Sequence, residues 1–185
     1  MTPVAQARGE GELPRAAILS QYQAALRMLR LAIEACPDQA WDDAGEKNRF
    51  WHVAYHALFF THLYLHDSYE TFRPWPGHRA EYQFLGQAPG PPPRAARIGA
   101  PLTRAEVQAL LGLVQAELPA RLEACSAGSP SGFHWLPFDK LELHLYSIRH
   151  LQHHTGQLVD RLRERHALSI AWVFDGSAVA PSFDA

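Results

Sequence analysis

Hydrophobic residues recur every three or four positions in four segments of the chain, and no segment alternates convincingly like a strand. The first segment runs from about Pro14 to Ala35 and carries a single apolar stripe. That stripe comprises Ile18, Tyr22, Leu26, Leu29 and Ile33. The second segment, from about Asp43 to His66, is apolar nearly all round. These periods predict helices, the second of which is buried on several sides.

The third and fourth segments begin with matching start signals. Thr103 and Glu106 have the spacing of a capping box, in which a side chain at the helix start and one three residues later satisfy free amide groups. Asp139 and Glu142 repeat this spacing. The third helix is therefore expected to run from residue 103 toward residue 125, bent near Pro119, and the fourth from residue 139 to about residue 165.

The connections between the helices predict the topology. More than thirty residues rich in proline and glycine separate the second helix from the third, which is enough chain to run back along a helix. The other connections are short and favour antiparallel neighbours. We therefore expect an all-α fold, an up-down-down-up four-helix bundle. It would form one domain over residues 1–185, with a core of about 13–166 and a tail, 167–185, packed on it.

Composition excludes several partners. The net charge is −2 and the basic residues are scattered, so neither nucleic acid nor a membrane is an expected partner. The most apolar stretch, Phe50 to Leu65, is too short to cross a bilayer and contains three histidines. The N-terminus shows no secretory signal, and Cys36 and Cys125 are isolated in sequence. These features predict a soluble, cytoplasmic protein without a disulfide.

Histidines carry the chemistry that the sequence suggests. His150 and His154 are four residues apart, so they lie about 40° apart on one face of the fourth helix and can reach one ion. His153 falls with polar residues on the opposite side and is expected to face solvent. His144 lies in the middle of the apolar side, where a hydrogen-bonded core histidine is the expected role.

The second helix offers two further histidines, His52 and His56, on one face. Burying both without partners would be costly, which favours either hydrogen bonds or a metal ion. His56 lies near the middle of its helix, level with His150 and His154 if the two helices are antiparallel. This predicts a three-histidine metal site, with His52 one turn away, where it would meet Gln157 or a substrate group. The remaining histidines are expected at the surface: His62, His66, His78, His134 and His166.

Two segments resemble a known family. The run WHVAYHALFF from Trp51 to Phe60 looks like the second-helix motif of the DinB-like superfamily, and RHLQHHTGQL from Arg149 to Leu158 resembles its fourth-helix motif. The resemblance implies a four-helix bundle, often dimeric, with a divalent ion on His56, His150 and His154. The superfamily includes bacillithiol and other thiol S-transferases and a mycothiol-dependent isomerase, in which the metal is thought to activate a low-molecular-weight thiol.

The leading functional hypothesis is therefore a metal-dependent enzyme of the thiol S-transferase or hydrolase type. Its cofactor would be one divalent ion, zinc or nickel first, with iron or copper as further options. Its substrate would be a small molecule, including a low-molecular-weight thiol. One alternative is a non-catalytic metal-binding or stress-response module whose metal is structural, with His52 joining or replacing His56. The other is a metal-free bundle. Arg149, Tyr55 and Gln157 are further side chains near the site, each with an ordinary packing or surface role.

The apolar circumference of the second helix also predicts a homodimer, in which a second copy covers part of its aromatic surface.

Overall fold

The computed structural model describes residues 14–177, and its main elements are helices. In chain order they are α1 (Arg15–Ala35), α2 (Asp38–Trp41), α3 (Phe50–Tyr64), the short strands β1 (Gln87–Ala88) and β2 (Arg94–Ala95), α4 (Arg104–Ala124) and α5 (Lys140–His166). The all-α prediction is confirmed. Residues 1–13, in which no secretory signal was predicted, and residues 178–185 of the predicted tail lie outside this range.

The start signals of the last two long helices work as the sequence predicts. The Thr103 hydroxyl accepts a hydrogen bond from the Glu106 amide at 3.2 Å, and the Glu106 carboxylate accepts one from the Thr103 amide at 2.7 Å. At the start of α5, Asp139 accepts from the Glu142 amide at 2.9 Å. Each such cap stabilises its helix by about 1 kcal/mol. The helix α4 continues through Pro119.

The second long helix begins later than predicted, at Phe50 rather than near Asp43. The preceding acidic residues use their side chains to hold a non-helical loop. Asp43 accepts from the Gly45 amide at 2.8 Å, and Asp42 accepts from the Trp51 indole at 2.8 Å. Aspartate side chains that bond to nearby amides compete with helical hydrogen bonding. For this reason the apolar run of α3, not the acidic segment before it, sets the start of the helix.

The chain buries α3 almost completely, with thirteen of its fifteen residues in the interior. The helices α4 and α5 pack against it. The connection over residues 65–103 also covers it, inserting Phe72 and Tyr82. One copy of the chain therefore already covers most of the surface on which the dimer was predicted. The homodimer stays a prediction.

Residues 168–177 lie along α1. The Gly176 main-chain amide donates to the Ser20 hydroxyl at 2.9 Å, and the Gln21 side-chain amide donates to the Phe174 carbonyl at 3.1 Å. Leu168 and Ile170 pack against the core. Within the part of the chain that the structure covers, no helix has both the length and the hydrophobicity needed to cross a membrane.

His144 is a core histidine, as the sequence suggests. Its Nδ1 forms a hydrogen bond with the Tyr22 hydroxyl at 3.2 Å, and its Nε2 is buried without a partner. Burial lowers the pKa of the imidazole from 6.5 to about 4, and the charge of Lys140 acts in the same direction. The folded protein therefore holds this histidine neutral at pH values where the unfolded chain takes up a proton.

We expect the His144→Gln variant to lose less stability than the wild type as the pH falls from 6.5 to 4. The unfolded chain binds the proton first, so the wild type loses stability across this window, by about 2 kcal/mol from this histidine. Urea unfolding of metal-free protein at several pH values measures the difference. The exposed His134→Gln variant is the control and should follow the wild type. Parallel pH profiles for all three proteins would contradict the prediction.

Candidate metal centre

Three imidazoles from two helices converge between α3 and α5. The Nε2 atoms of His56 and His150 are 3.1 Å apart. The ring of His154 lies 4.5 Å from that of His56 and 4.6 Å from that of His150, measured between centroids. One nitrogen from each of the three rings lies within 4.8 Å of the others. The structure thus brings together the three residues that the sequence proposed as ligands.

Hydrogen bonds on the far side of two rings leave their inner nitrogens free. His56 donates through Nδ1 to the main-chain carbonyl of Gln83 at 2.6 Å. His154 donates through Nδ1 to the Gln157 side-chain oxygen at 2.9 Å. With Nδ1 protonated, each Nε2 carries a lone pair. Metal-binding histidines are oriented in just this way by partners of their second nitrogen.

The donor set fits a divalent ion. Zinc binds histidine nitrogens at about 2.0–2.1 Å in tetrahedral geometry, which places two such nitrogens about 3.3 Å apart. The 3.1 Å separation of the His56 and His150 nitrogens is close to that spacing. No carboxylate or thiol among residues 14–177 joins this group. The three ligands would therefore be neutral imidazoles.

Burial keeps the three histidines uncharged at neutral pH. It lowers the pKa of His56 to about 3 and that of His150 to about 4, and it also lowers the pKa of His154. The neighbouring histidines add to the effect, because a second positive charge nearby would be unfavourable. A neutral imidazole is the form that binds metal. The ligands are therefore in their binding state without giving up a proton.

Aromatic rings surround the centre. Phe60 meets the His56 ring at 4.9 Å and the His150 ring at 5.6 Å, both edge to face. Tyr146 stacks on His150 at 6.2 Å. Tyr146 also lines a groove of about 550 Å³, together with Arg149. His56 and His150 themselves are only half-buried.

The neighbouring histidines have other roles. His153 is exposed, as predicted, and accepts a hydrogen bond from the Gln157 side-chain amide at 3.1 Å. His52 donates through Nε2 to the Tyr82 carbonyl at 2.8 Å. The expectation that His52 would meet Gln157 is therefore wrong, because the connection after α3 supplies its partner and Gln157 instead holds His154.

The fold and these motifs agree with the comparison to known families. The family profile of the DinB superfamily matches residues 21–158, about three quarters of the chain, and includes all three histidines. The chain belongs to the DinB superfamily. Searches among curated proteins and among solved structures found no match. DinB proteins are associated with metal ions, and the histidine cluster of this DinB protein suits such an ion.

A second cluster in this DinB protein was missed by the sequence analysis. His62 and His66 were expected at the surface, but they are only 2% and 4% exposed. Together with Glu117 of α4 they form another group of closely placed ligand atoms. Their own spacing of four residues, the same as that of His150 and His154, was the available signal. His78 and His166 are half-buried, whereas His134 is exposed as expected.

Proposed function

We propose that this DinB protein is a metal-dependent enzyme that holds one divalent ion, zinc or nickel, on His56, His150 and His154. The observation that carries this proposal is the convergence of three neutral imidazoles with two of their inner lone pairs freed by hydrogen bonds. Imidazole is a suitable ligand for both metals. A low-molecular-weight thiol or water is the proposed reacting partner, as expected for a thiol S-transferase or a hydrolase.

An open coordination position supports catalysis over a structural role. Catalytic zinc sites use three protein ligands and keep one position for water or substrate, whereas structural sites are closed by four. His52, the candidate fourth ligand, commits its Nε2 to the Tyr82 carbonyl. Within the described residues the cluster therefore has three members. Once bound, the metal would lower the pKa of a coordinated thiol or water and so generate a nucleophile at neutral pH.

The side chains around the centre would orient the ligands and limit water. Gln83 and Gln157 hold the imidazoles of His56 and His154 in fixed tautomers. Phe60 supplies an apolar wall, which strengthens electrostatic interactions at the centre. The Tyr55 hydroxyl forms a hydrogen bond with Nδ1 of His78 at 2.6 Å. Burial raises the pKa of Tyr55, so this hydroxyl keeps its proton at neutral pH. Arg149 lines the same groove as Tyr146, where an anionic part of a substrate would meet a positive charge.

We further infer that the four long helices run up, down, down and up. In the contacts between α3 and α4 the residue numbers rise together, so these helices are parallel. In the contacts between α3 and α5 one number rises as the other falls, so these helices are antiparallel. The pairs that support this are His62–Glu117, His66–Arg121, Phe60–His150 and Tyr64–Tyr146. In this order α3 and α5 are antiparallel neighbours, which brings the middle of each helix to the same level.

Cobalt substitution tests the open position. Cobalt(II) bound to the protein should develop a thiolate-to-cobalt charge-transfer band when 2-mercaptoethanol is added, because the thiolate enters the free position. Ethanol, which lacks the sulfur, is the matched control and should leave the spectrum unchanged. A cobalt spectrum that does not respond to the thiol would indicate a closed, structural site and overturn the enzymatic proposal. Failure to bind cobalt at all would overturn metal binding itself.

A further inference from the structure

The second histidine cluster lies between α3 and α4. His62 lies in the last turn of α3, His66 lies two residues beyond the end of that helix, and Glu117 approaches from α4. The Nε2 atom of His62 is 3.6 Å from a carboxylate oxygen of Glu117. One ligand atom from each of the three residues lies within 4.8 Å of the others. Two histidines and one carboxylate are a ligand set that zinc uses in proteins, with further positions left open.

The buried nitrogen of His62 lacks a hydrogen-bond partner. Its Nε2 is enclosed and makes no hydrogen bond, because the Glu117 carboxylate stays at an ion-pair distance of 3.6 Å. Phe72 covers both rings edge to face, at 5.2 Å from His62 and 5.0 Å from His66. Leaving a buried polar atom unpaired is unfavourable. A bound ion would supply the missing partner.

The tautomer of His66 also suits an ion. His66 donates through Nδ1 to the main-chain carbonyl of His62 at 2.9 Å, so its Nε2 carries a lone pair. That lone pair accepts a hydrogen bond from the Arg121 guanidinium at 2.9 Å. The same guanidinium nitrogen lies 3.2 Å from the Glu117 carboxylate. Arg121 therefore places a positive charge against two of the three atoms that would hold an ion.

We propose that His62, His66 and Glu117 form a second binding site for a divalent transition metal such as zinc, and that Arg121 occupies it as an internal competitor. The side chain of Arg121 is 36% exposed, so it can turn into solvent when an ion enters. The incoming ion would replace one cation with another of higher charge and pair the free nitrogen of His62.

The two sites are separate. His62 follows His56 by six residues, which is about 9 Å along α3 and about 120° around it. The first site faces α5 and the second faces α4. The second ion would link the C-terminal half of α3 to α4, and it would be held more weakly than the first because Arg121 must leave.

Zinc titration tests the proposal in the full chain. We expect wild-type protein to take up two ions per chain at saturation, measured by equilibrium dialysis and metal analysis. Glu117→Gln, which keeps the size of the side chain, and His62→Gln should each take up one. The exposed His134→Ala variant is the control and should still take up two. A wild-type protein that takes up no more zinc than the folded Glu117→Gln and His62→Gln variants would overturn the proposal.

Substitution of Arg121 is the sharper test. Arg121→Gln should raise the affinity for the second zinc ion by about tenfold, because it removes a like charge from the ligands. The matched change on an exposed arginine, Arg163→Gln, should leave it unchanged. Weaker second-site binding in Arg121→Gln would show that the guanidinium supports the cluster rather than competing for it, and would overturn the proposal. His154→Ala should lose the first ion but keep the second, so the two sites fail independently.

Discussion

Replacing His154 with alanine should lower the affinity of the three-histidine centre for zinc by about a hundredfold or more, because one of three neutral ligands is lost. His153→Ala should change it little. His154 is 8% exposed and faces His56, whereas His153 is exposed and lies on the outer side, where it meets the His154 ring edge to face and bonds to Gln157. Competition with a chromophoric chelator measures both affinities at the first ion to bind. Equal losses in the two variants would contradict this assignment of the ligands.

The histidines of α3 offer a matched pair for the same measurement. His56→Ala should remove the tight ion, because its Nε2 lies 3.1 Å from that of His150. His52→Ala should keep the ion, since the Nε2 of His52 is hydrogen-bonded to the Tyr82 carbonyl. If His52→Ala also removed the ion, a four-histidine site with less room for a substrate would be indicated.

Replacing Gly132 with alanine should have the largest effect on stability, a loss of about 3 kcal/mol or more. Gly132 has a φ of +85°, and an added Cβ atom would lie 1.7 Å from the Asp67 carbonyl oxygen. The backbone there cannot yield easily, because Lys140 donates to the same oxygen at 3.0 Å. Urea unfolding of metal-free protein, monitored by circular dichroism, measures the loss.

Gly128 provides the control in the same connection. A Cβ atom there would meet nothing within 4 Å, and its φ is not in the left-handed range. Gly128→Ala should therefore unfold at nearly the wild-type urea concentration. Similar losses of stability in both variants would contradict the prediction. They would show that the close approach to Asp67 is not the reason why Gly132 is needed.

Local rules account for the parts of the structure that could be predicted. The capping box at Thr103 depends only on residues three positions apart, and the structure contains it. The opposite faces of His153 and His154 follow from the helical period and the polarity of their neighbours. The prediction that His56 lies at the same height along the bundle as His150 and His154 needed one further assumption, that the two helices run in opposite directions.

Contacts distant in sequence account for the errors. His62 and His66 were expected at the surface because they lie near a helix end, but Phe72 folds back over them from the connection. The path of a connection of more than thirty residues is not encoded in a local pattern. The same connection supplies the Tyr82 carbonyl that binds His52, which no periodicity indicates.

The orientation of His56 depends on a main-chain carbonyl rather than on a side chain. Every amino acid carries that carbonyl, so evolution can replace Gln83 freely as far as this contact is concerned. What must be inherited is the path that the connection takes past α3. Among relatives, the three ligands can therefore persist while the residue that orients one of them changes, and insertions or deletions before residue 83 would be more damaging than substitutions at it.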